Sequence, residues 1–237
     1  MDPSTQKAEV KRIFNRVAGV YDLLNHVLSL GEDLRWRRFV ARCLRPGPTG
    51  RVLDVATGTG DLALAMAATG HHPQVVGLDL VPAMLARARD KAARRRARLP
   101  LVTGDGTRLP FADHSFDAVT IAFGIRNIPD RPAALAEMAR VLVPGGHLYV
   151  LEFASPQRPW VRRAYHLYLG RLLPQIGGWI SGDKASYQYL AETIMDFPSP
   201  TKFRRMMRQA GLVQPRSYAL TRGIAWLHIA HREPRLA

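Results

Sequence analysis

The chain is nearly without cysteine, since Cys43 stands alone among 237 residues. That excludes an intramolecular disulfide and any multi-cysteine metal site, and it fits a reducing compartment. Cys43 itself is expected to be a small buried apolar residue. Long apolar runs are missing too. The opening MDPSTQKAEVKRIF holds no apolar core of signal-peptide length. No later stretch approaches the roughly 20 apolar residues that span a bilayer, so any membrane contact is expected to be peripheral. Acidic residues are scarce, 19 against 34 Lys and Arg, which leaves a formal net charge of +15. A surplus of that size attracts polyanions, and nucleic acid and anionic lipid both qualify.

What is present is the apolar material of a compact globule: 47% hydrophobic residues with 22% charged excludes a disordered chain. The length suits one domain. Residues 1–48 read as a helical preface or lid, with Val10, Ile13, Phe14 and Val17, and then Leu34, Trp36 and Phe39, at helical spacing. Residues 49–153 alternate β-rich runs (RVLDVA, QVVGLDL, LPLVTGD, SFDAVTIAFG, HLYVLEF) with helical ones starting near Asp61 and Pro82 and passing through ALAEMARVL. Such alternation predicts an α/β, mostly parallel, doubly wound sheet with helices on both faces. Residues 154–200 break the rhythm and read as an insertion. Residues 201–237 supply a last helix and two runs, PRSYAL and GIAWLHIAH, suited to an antiparallel hairpin at the sheet edge.

Chemistry concentrates at strand ends. The run from Val52 to Val55 leads into Ala56-Thr57-Gly58-Thr59-Gly60-Asp61, a strand ending in a glycine turn that opens a helix and lets a ligand approach the backbone. Gly58-x-Gly60-x-x-Ala63 also fits a relaxed dinucleotide fingerprint, so a nicotinamide or flavin enzyme is the first rival. Asp61 argues against it, because a carboxylate at the positive end of that helix repels a pyrophosphate but tolerates a sulfonium and an ammonium. Asp79 ends the second strand, where a carboxylate can accept both ribose hydroxyls of an adenosine. Asp105, in Gly104-Asp105-Gly106, ends another strand within reach of an adenine amino group. Each has a plainer reading: Asp54 and Asp61 as cap or loop residues, Asp79 as a turn former.

The ordered set of glycine loop, ribose carboxylate and adenine loop resembles a Rossmann-like class I S-adenosylmethionine methyltransferase. Outside that core lie Phe14-Asn15-Arg16-Val17-Ala18, Tyr21-Asp22-Leu23-Leu24-Asn25, Trp36-Arg37-Arg38, Phe123-Gly124-Ile125-Arg126-Asn127 and Leu151-Glu152-Phe153. With Gly182-Asp183-x-x-Ser186-Tyr187-x-Tyr189-Leu190-x-Glu192-x-Ile194, these make the chain similar to the ubiquinone/menaquinone biosynthesis C-methyltransferase family from about Val10 to His231. The lack of an organellar extension resembles its bacterial demethylmenaquinone branch. The resemblance implies S-adenosylmethionine as cofactor and methyl transfer to a ring carbon of demethylmenaquinol, a prenylated quinol; some relatives also accept a methoxy-benzoquinol. By position it implies Gly58, Thr59, Gly60, Asp79, Asp105 and Gly106 as cofactor contacts. The family's frequent serine before Phe-Gly is Ala122 here, which removes one side-chain hydrogen bond.

A quinol carbon becomes nucleophilic when the adjacent hydroxyl loses its proton, and a phenol-like pKa near 10 opposes that loss at neutral pH. The site must supply a base or hold the phenolate; no metal is required. Arg126, after the fourth strand, could stabilise the phenolate or orient a water, with a structural ion pair as its plainer role. Asn127, Tyr187 and Tyr189 could orient the quinol oxygens. His166 and His228 are weaker candidates for a base. Tyr21 and Asp22 could close over the cofactor or simply staple helices.

Two surfaces bear on location. Between Pro159 and Pro174 a helix would place Arg162, Arg163, His166 and Gly170 on a narrow polar face, with Val161, Ala164, Tyr165, Tyr168 and Leu172 on the wide opposite one. That face could border a prenyl channel, lie on a bilayer or pack on the core. Residues 87–98 hold seven bases and one acid, +6 of the total charge, either as a solvated face or as a contact for anionic headgroups or RNA. The expectation is a cytoplasmic enzyme, peripheral on the inner face of the cell membrane, with homo-oligomerisation left open. An RNA methyltransferase is disfavoured because the fourth strand ends in Ala-Phe-Gly-Ile-Arg-Asn, not Asn/Asp-Pro-Pro-aromatic. A non-catalytic cofactor-binding protein is disfavoured by the intact cofactor loops.

Overall fold

The computed structural model describes residues 3–17, 19, 22, 26, 29, 31–45, 47–69, 73–156, 158–172, 175 and 184–234, with residues 3, 4, 17, 172 and 184–187 described by backbone alone. Seven strands form one sheet in the order β3-β2-β1-β4-β5-β7-β6. They are β1 (Arg51–Val55), β2 (Gln74–Asp79), β3 (Leu101–Thr103), β4 (Phe116–Ala122), β5 (Leu142–Phe153), β6 (Leu212–Leu220) and β7 (Ala225–Arg232). The first five are parallel to one another, and β7 runs antiparallel to both β5 and β6.

The helices are α1 (Pro3–Val17), α2 (Glu32–Cys43), α3 (Asp61–Ala67), α4 (Pro82–Arg94), α5 (Arg131–Val141), α6 (Pro159–Leu167), α7 (Lys184–Met195) and α8 (Pro200–Gln209). Local chemistry explains several starts. Asp130 caps α5 by accepting from the Ala133 N–H at 3.0 Å, Ser199 caps α8, and prolines occupy the first turns of α4, α5 and α8. β6 bulges between Val213 and Arg216, around Pro215, which has no N–H for the ladder.

Strand alternation divides the core. Leu53, Val55, Val119 and Val150 pack with Leu135 and Met138 of α5 and Phe203 and Met207 of α8. Val52, Ala118, Tyr149 and Leu227 pack with Trp36 and Val40 of α2 and Leu62 and Met66 of α3. Phe39, grouped with the apolar stripe of α2 in the sequence reading, instead faces outward and is 44% exposed, because Trp36 and Val40 take the core-facing turns. Cys43 is half-buried, and burial pushes its thiol above its ordinary pKa.

The strand order reverses between β1 and β4. In a parallel sheet the loops leaving the carboxyl ends of such a pair diverge and leave a crevice. Here those loops are residues 56–60 after β1 and residues 123–127 after β4, and the fold thereby fixes where a ligand can sit.

Candidate active site

Gly58 (φ +58°) and Gly60 (φ +83°) give the β1 loop its left-handed turns. A Cβ at Gly60 would lie 3.1 Å from that of Ala88, so the turn also lets α3 start against α4. Asp79 closes the loop from the side. Its carboxylate accepts the Gly58 N–H at 2.8 Å and the Val81 N–H at 2.9 Å. Burial pushes this carboxyl above the usual range, against the pull of those backbone donors. Each oxygen keeps a lone pair for another donor.

Asp105 sits across the same cavity. Burial would raise its pKa, but Lys7 (2.7 Å) and the backbone and hydroxyl of Thr107 outweigh that and hold it below the usual range. The cavity is about 90 Å³, and its wall includes Asp79, Asp105 and Gly106, apolar Leu80 and Ile128, and Val10 and Phe14 of α1. Two carboxylates facing an apolar slot fit a nucleoside, with the slot for the base and acceptors for hydroxyls and an amino group. A drug-sized ligand needs roughly 300 Å³ or more, and α1 brings Lys7, Val10 and Phe14 into the wall of this smaller cavity.

Thr59 is placed otherwise than expected of a direct contact. Its hydroxyl donates to Asp22 at 2.5 Å and accepts from Lys91 at 3.0 Å, and it is buried. Lys91 also bridges Asp22 and Asp61, each at 2.6 Å. This corrects the charge argument about Asp61: its carboxylate is neutralised by Lys91 and does not present a bare negative charge at the start of α3. The discrimination against a pyrophosphate therefore does not rest on Asp61. Asp22 ties the preface to the glycine loop; Tyr21 lies outside the described residues. Beneath the loop, Asp54 accepts hydroxyls from Thr57 (2.7 Å) and Thr120 (2.6 Å), joining β1 to β4, and burial raises its pKa to about 6. It is a strand-internal brace, not a cap.

Residues 125–127 form one turn of 3-10 helix after β4. Arg126 is buried there, and its guanidinium donates to Glu152 Oε1 at 2.7 Å and to the Phe123 carbonyl at 2.6 Å. The other Glu152 oxygen accepts the Arg126 backbone N–H at 3.3 Å, and the guanidinium lies over the Phe153 ring. Arg126 is thus charge-compensated by a fully buried carboxylate, the ion-pair role weighed as its alternative. Asn127 lines the cavity, is 9% exposed, and its Oδ1 has no hydrogen-bond partner. Ala122 contributes a methyl to the same wall and can make no side-chain hydrogen bond.

α7 packs on this turn. The Tyr189 hydroxyl on α7 is shielded from solvent and has no partner, while the side chain of Tyr187 lies outside the described set. Neither histidine lines the cavity. His166 is hydrogen-bonded to Ser155 at 2.8 Å. His228 meets Ser217 at 2.7 Å, packs beside Phe203, and is held neutral by burial, its pKa lowered to about 3.

Sequence reading missed Lys7, Lys91 and Arg131. Arg131 opens α5, where the helix dipole disfavours a cation, and that mismatch was the available signal. Its guanidinium donates to the Arg126 carbonyl at 3.0 Å and lies over Phe197, and its Nε is buried without a partner. Glu152, too, was legible as an acid inside an apolar strand.

The profile of the ubiE/COQ5 methyltransferase family matches residues 2–232. The demethylmenaquinone methyltransferase of Thermus thermophilus is 46% identical over 220 residues, 93% of this chain and 100% of that protein. The ubiquinone/menaquinone biosynthesis C-methyltransferase UbiE of a Geobacter species is 45% identical over 229 residues, 95% of this chain and 97% of that protein. Among solved structures, an S-adenosylmethionine-dependent methyltransferase from Thermotoga maritima matches with a TM-score of 0.68 at 19% identity, covering 94% of this chain and 100% of that one. At that identity the likeness speaks to the fold.

Proposed function

The chain belongs to the ubiE/COQ5 methyltransferase family, and from that premise we propose that it methylates a ring carbon of demethylmenaquinol, giving menaquinol and S-adenosylhomocysteine. It is an S-adenosylmethionine-dependent methyltransferase. The observation that carries the acceptor assignment is that Asn127, on the turn after β4, walls the same cavity as Asp79 and Asp105. Donor and acceptor sites therefore adjoin. A prenyl-methoxy-benzoquinol is the second reading, favoured by the relatives whose names cover both quinones.

Asp79 would hold the ribose hydroxyls, Asp105 the adenine amino group once Lys7 gives way, and Gly58, Gly60 and Gly106 would admit the cofactor close to the backbone. Thr59 would act at one remove, fixing the loop through Asp22 and Lys91. The preface would be the lid, with the Lys7–Asp105 and Lys91–Asp22 ion pairs as its fastenings. S-adenosylmethionine supplies an electrophilic methyl on a sulfonium. The chain must hold the ring carbon about 3 to 3.5 Å from it and favour the phenolate. As the C–C bond forms, the C–S electrons stay with sulfur; the ring then loses its C–H proton and the oxygen regains one, so the net yield is one proton to solvent. Asn127 Oδ1 can only accept, which suits a quinol hydroxyl and not a quinone carbonyl.

The test is transfer of labelled methyl from S-adenosylmethionine to reduced demethylmenaquinone, with a demethylated benzoquinol and bulk RNA as parallel acceptors. Label in menaquinone is expected; label in RNA alone would overturn the acceptor.

Delivery of a prenylated quinol supports a peripheral place on the inner face of the cell membrane. No helix among the described residues is long and apolar enough to cross one. α6 supplies a docking face: Val161 is buried and Tyr165 half-buried, but Trp160 (61% exposed) and Leu167 (52%) point outward. This corrects the predicted faces, since Ala164 is exposed and the chain widens into a π-helical turn at Tyr168–Leu172 in which Leu169 is buried. Arg158, Arg162, Arg163 and Arg171 border the apolar pair, and no acid occurs between Glu152 and Asp183. Salt-sensitive binding to anionic vesicles is expected. Replacing Trp160 and Leu167 together with alanine should weaken it about 10-fold or more, as each buried side chain contributes roughly 1.5–3 kcal/mol. Equal binding to neutral vesicles would count against this docking.

A further inference from the structure

We propose that Arg131, assisted by the Tyr189 hydroxyl, is the group that holds the acceptor's phenolate oxygen, and that Arg126 shapes the turn without contacting substrate. The proposal rests on the quinol-methylating reading above and assigns the charge chemistry within it.

The argument begins with which cation has charge to give. Arg126 is committed to Glu152, a carboxylate with no solvent exposure, at 2.7 Å and to the Phe123 carbonyl at 2.6 Å. A cation so paired offers little field to a developing anion, because its partner cancels it at close range. Arg131 differs. Among the described residues no carboxylate lies within ion-pair distance of it, its guanidinium donates to a neutral carbonyl, and its Nε–H is buried without a hydrogen-bond partner. Burial pulls its pKa below the ordinary value, with Glu152, Tyr189 and Asp196 opposing. A buried donor left unmade costs roughly 1–3 kcal/mol, more when charged.

Tyr189 is the second half. Its hydroxyl is shielded and unpartnered, and it lies within the electrostatic reach of Arg126, Arg131 and Glu9. Asn127 Oδ1, on the turn after β4, is likewise buried without a hydrogen-bond partner, as is Arg126 Nε, and Arg131 and Tyr189 stand on the two helices against that turn. The donors are Arg131 Nε and Tyr189 OH, and the acceptor is Asn127 Oδ1. A hydroquinone ionised at one oxygen carries the matching groups, an anion for the donors and a hydroxyl for the acceptor. The charged or titratable groups facing this pair are Glu152 of β5, Asp196 just after α7, Glu9 of α1 and Arg126.

In the step assigned here, the quinol O–H breaks, its proton passes to solvent, and the electron pair stays on an oxygen held by Arg131 and Tyr189. A guanidinium stays protonated throughout the working range, so the only group titrating in the step is the acceptor. The predicted signature is a rate that rises with pH at a lower pH than a free phenol near 10 would give.

The experiment is a pH profile of single-turnover methyl transfer to a reduced naphthoquinol, with S-adenosylhomocysteine affinity measured alongside. Arg131→Gln should lower the rate about 100- to 1000-fold near pH 7, the usual loss when an oxyanion donor is removed. It should move the rising limb up by at least one pH unit and leave S-adenosylhomocysteine affinity within twofold. Arg131→Lys should restore part of the shift, and Tyr189→Phe should move the limb in the same direction by less. A rate reduced equally at every pH, with the limb unmoved, would make Arg131 structural and overturn the proposal. Wild-type protein gives an independent reading should the variants fail to fold. A bound naphthol, followed by its phenolate absorbance, should ionise at lower pH than free naphthol, and ionisation at the free value would contradict the assignment. No transfer to any quinol by wild type would instead bring down the acceptor reading, and this proposal with it.

Discussion

Glu152→Ala is expected to cost about 3–5 kcal/mol of stability, because it strands the Arg126 guanidinium in the core without a counter-charge. For a chain of this size that corresponds to a fall in Tm of roughly 6–20 °C. The effect is large because three contacts go at once: the ion pair at 2.7 Å, the bond to the Arg126 backbone N–H at 3.3 Å, and the position of the turn carrying Asn127. Replacing both partners with apolar residues of similar size should recover much of the loss, since the desolvation of both charges is then avoided. Thermal unfolding followed by circular dichroism decides the matter. A Glu152→Ala protein that melts with wild type would mean that the pair is not closed in solution.

Asp79→Ala should weaken S-adenosylhomocysteine binding about 100- to 10,000-fold. Two hydrogen bonds to a charged group contribute roughly 1.5–3 kcal/mol each, and losing both gives that range. The loop is affected as well, because the Gly58 and Val81 N–H groups that Asp79 accepts lose their partner. Asp79→Asn, which keeps one acceptor oxygen, should fall between alanine and wild type. Titration calorimetry reads this directly, and unchanged affinity in the alanine variant would remove Asp79 from the ribose site.

These two residues show what a sequence can and cannot disclose. Asp79 was legible because its position is local: it ends an apolar strand in an alternating α/β pattern, and such strand ends line the crevice where the sheet order reverses. The five parallel strands and the edge hairpin were legible for the same reason, each being a run of apolar residues bounded by turn formers. Pairings across long separations were not. Asp61 looked like a bare charge because Lys91 lies 30 residues on, and Asp105 looked open because Lys7 lies 98 residues back. Arg126 was singled out correctly as a residue of the turn, but its compensation by Glu152 depends on the register of β4 against β5. The faces of α6 were misdrawn where the helix changes pitch at Tyr168, since angular position is inferred from a constant 100° per residue. For Arg131 the one local signal was a cation at the start of α5, and its lack of a counter-charge among the described residues becomes visible only in the fold.

The account turns on carbon, not oxygen, as the nucleophile, with the quinol oxygen held as an anion and kept from the methyl. The direct measurement is the position of a deuterated methyl in the product formed from reduced demethylmenaquinone and deuteromethyl S-adenosylmethionine, read by mass spectrometry and NMR. The predicted result is a methyl on the ring carbon, stable after reoxidation to menaquinone. A methyl ether, which cannot be reoxidised to the quinone, would contradict the mechanism proposed for this site.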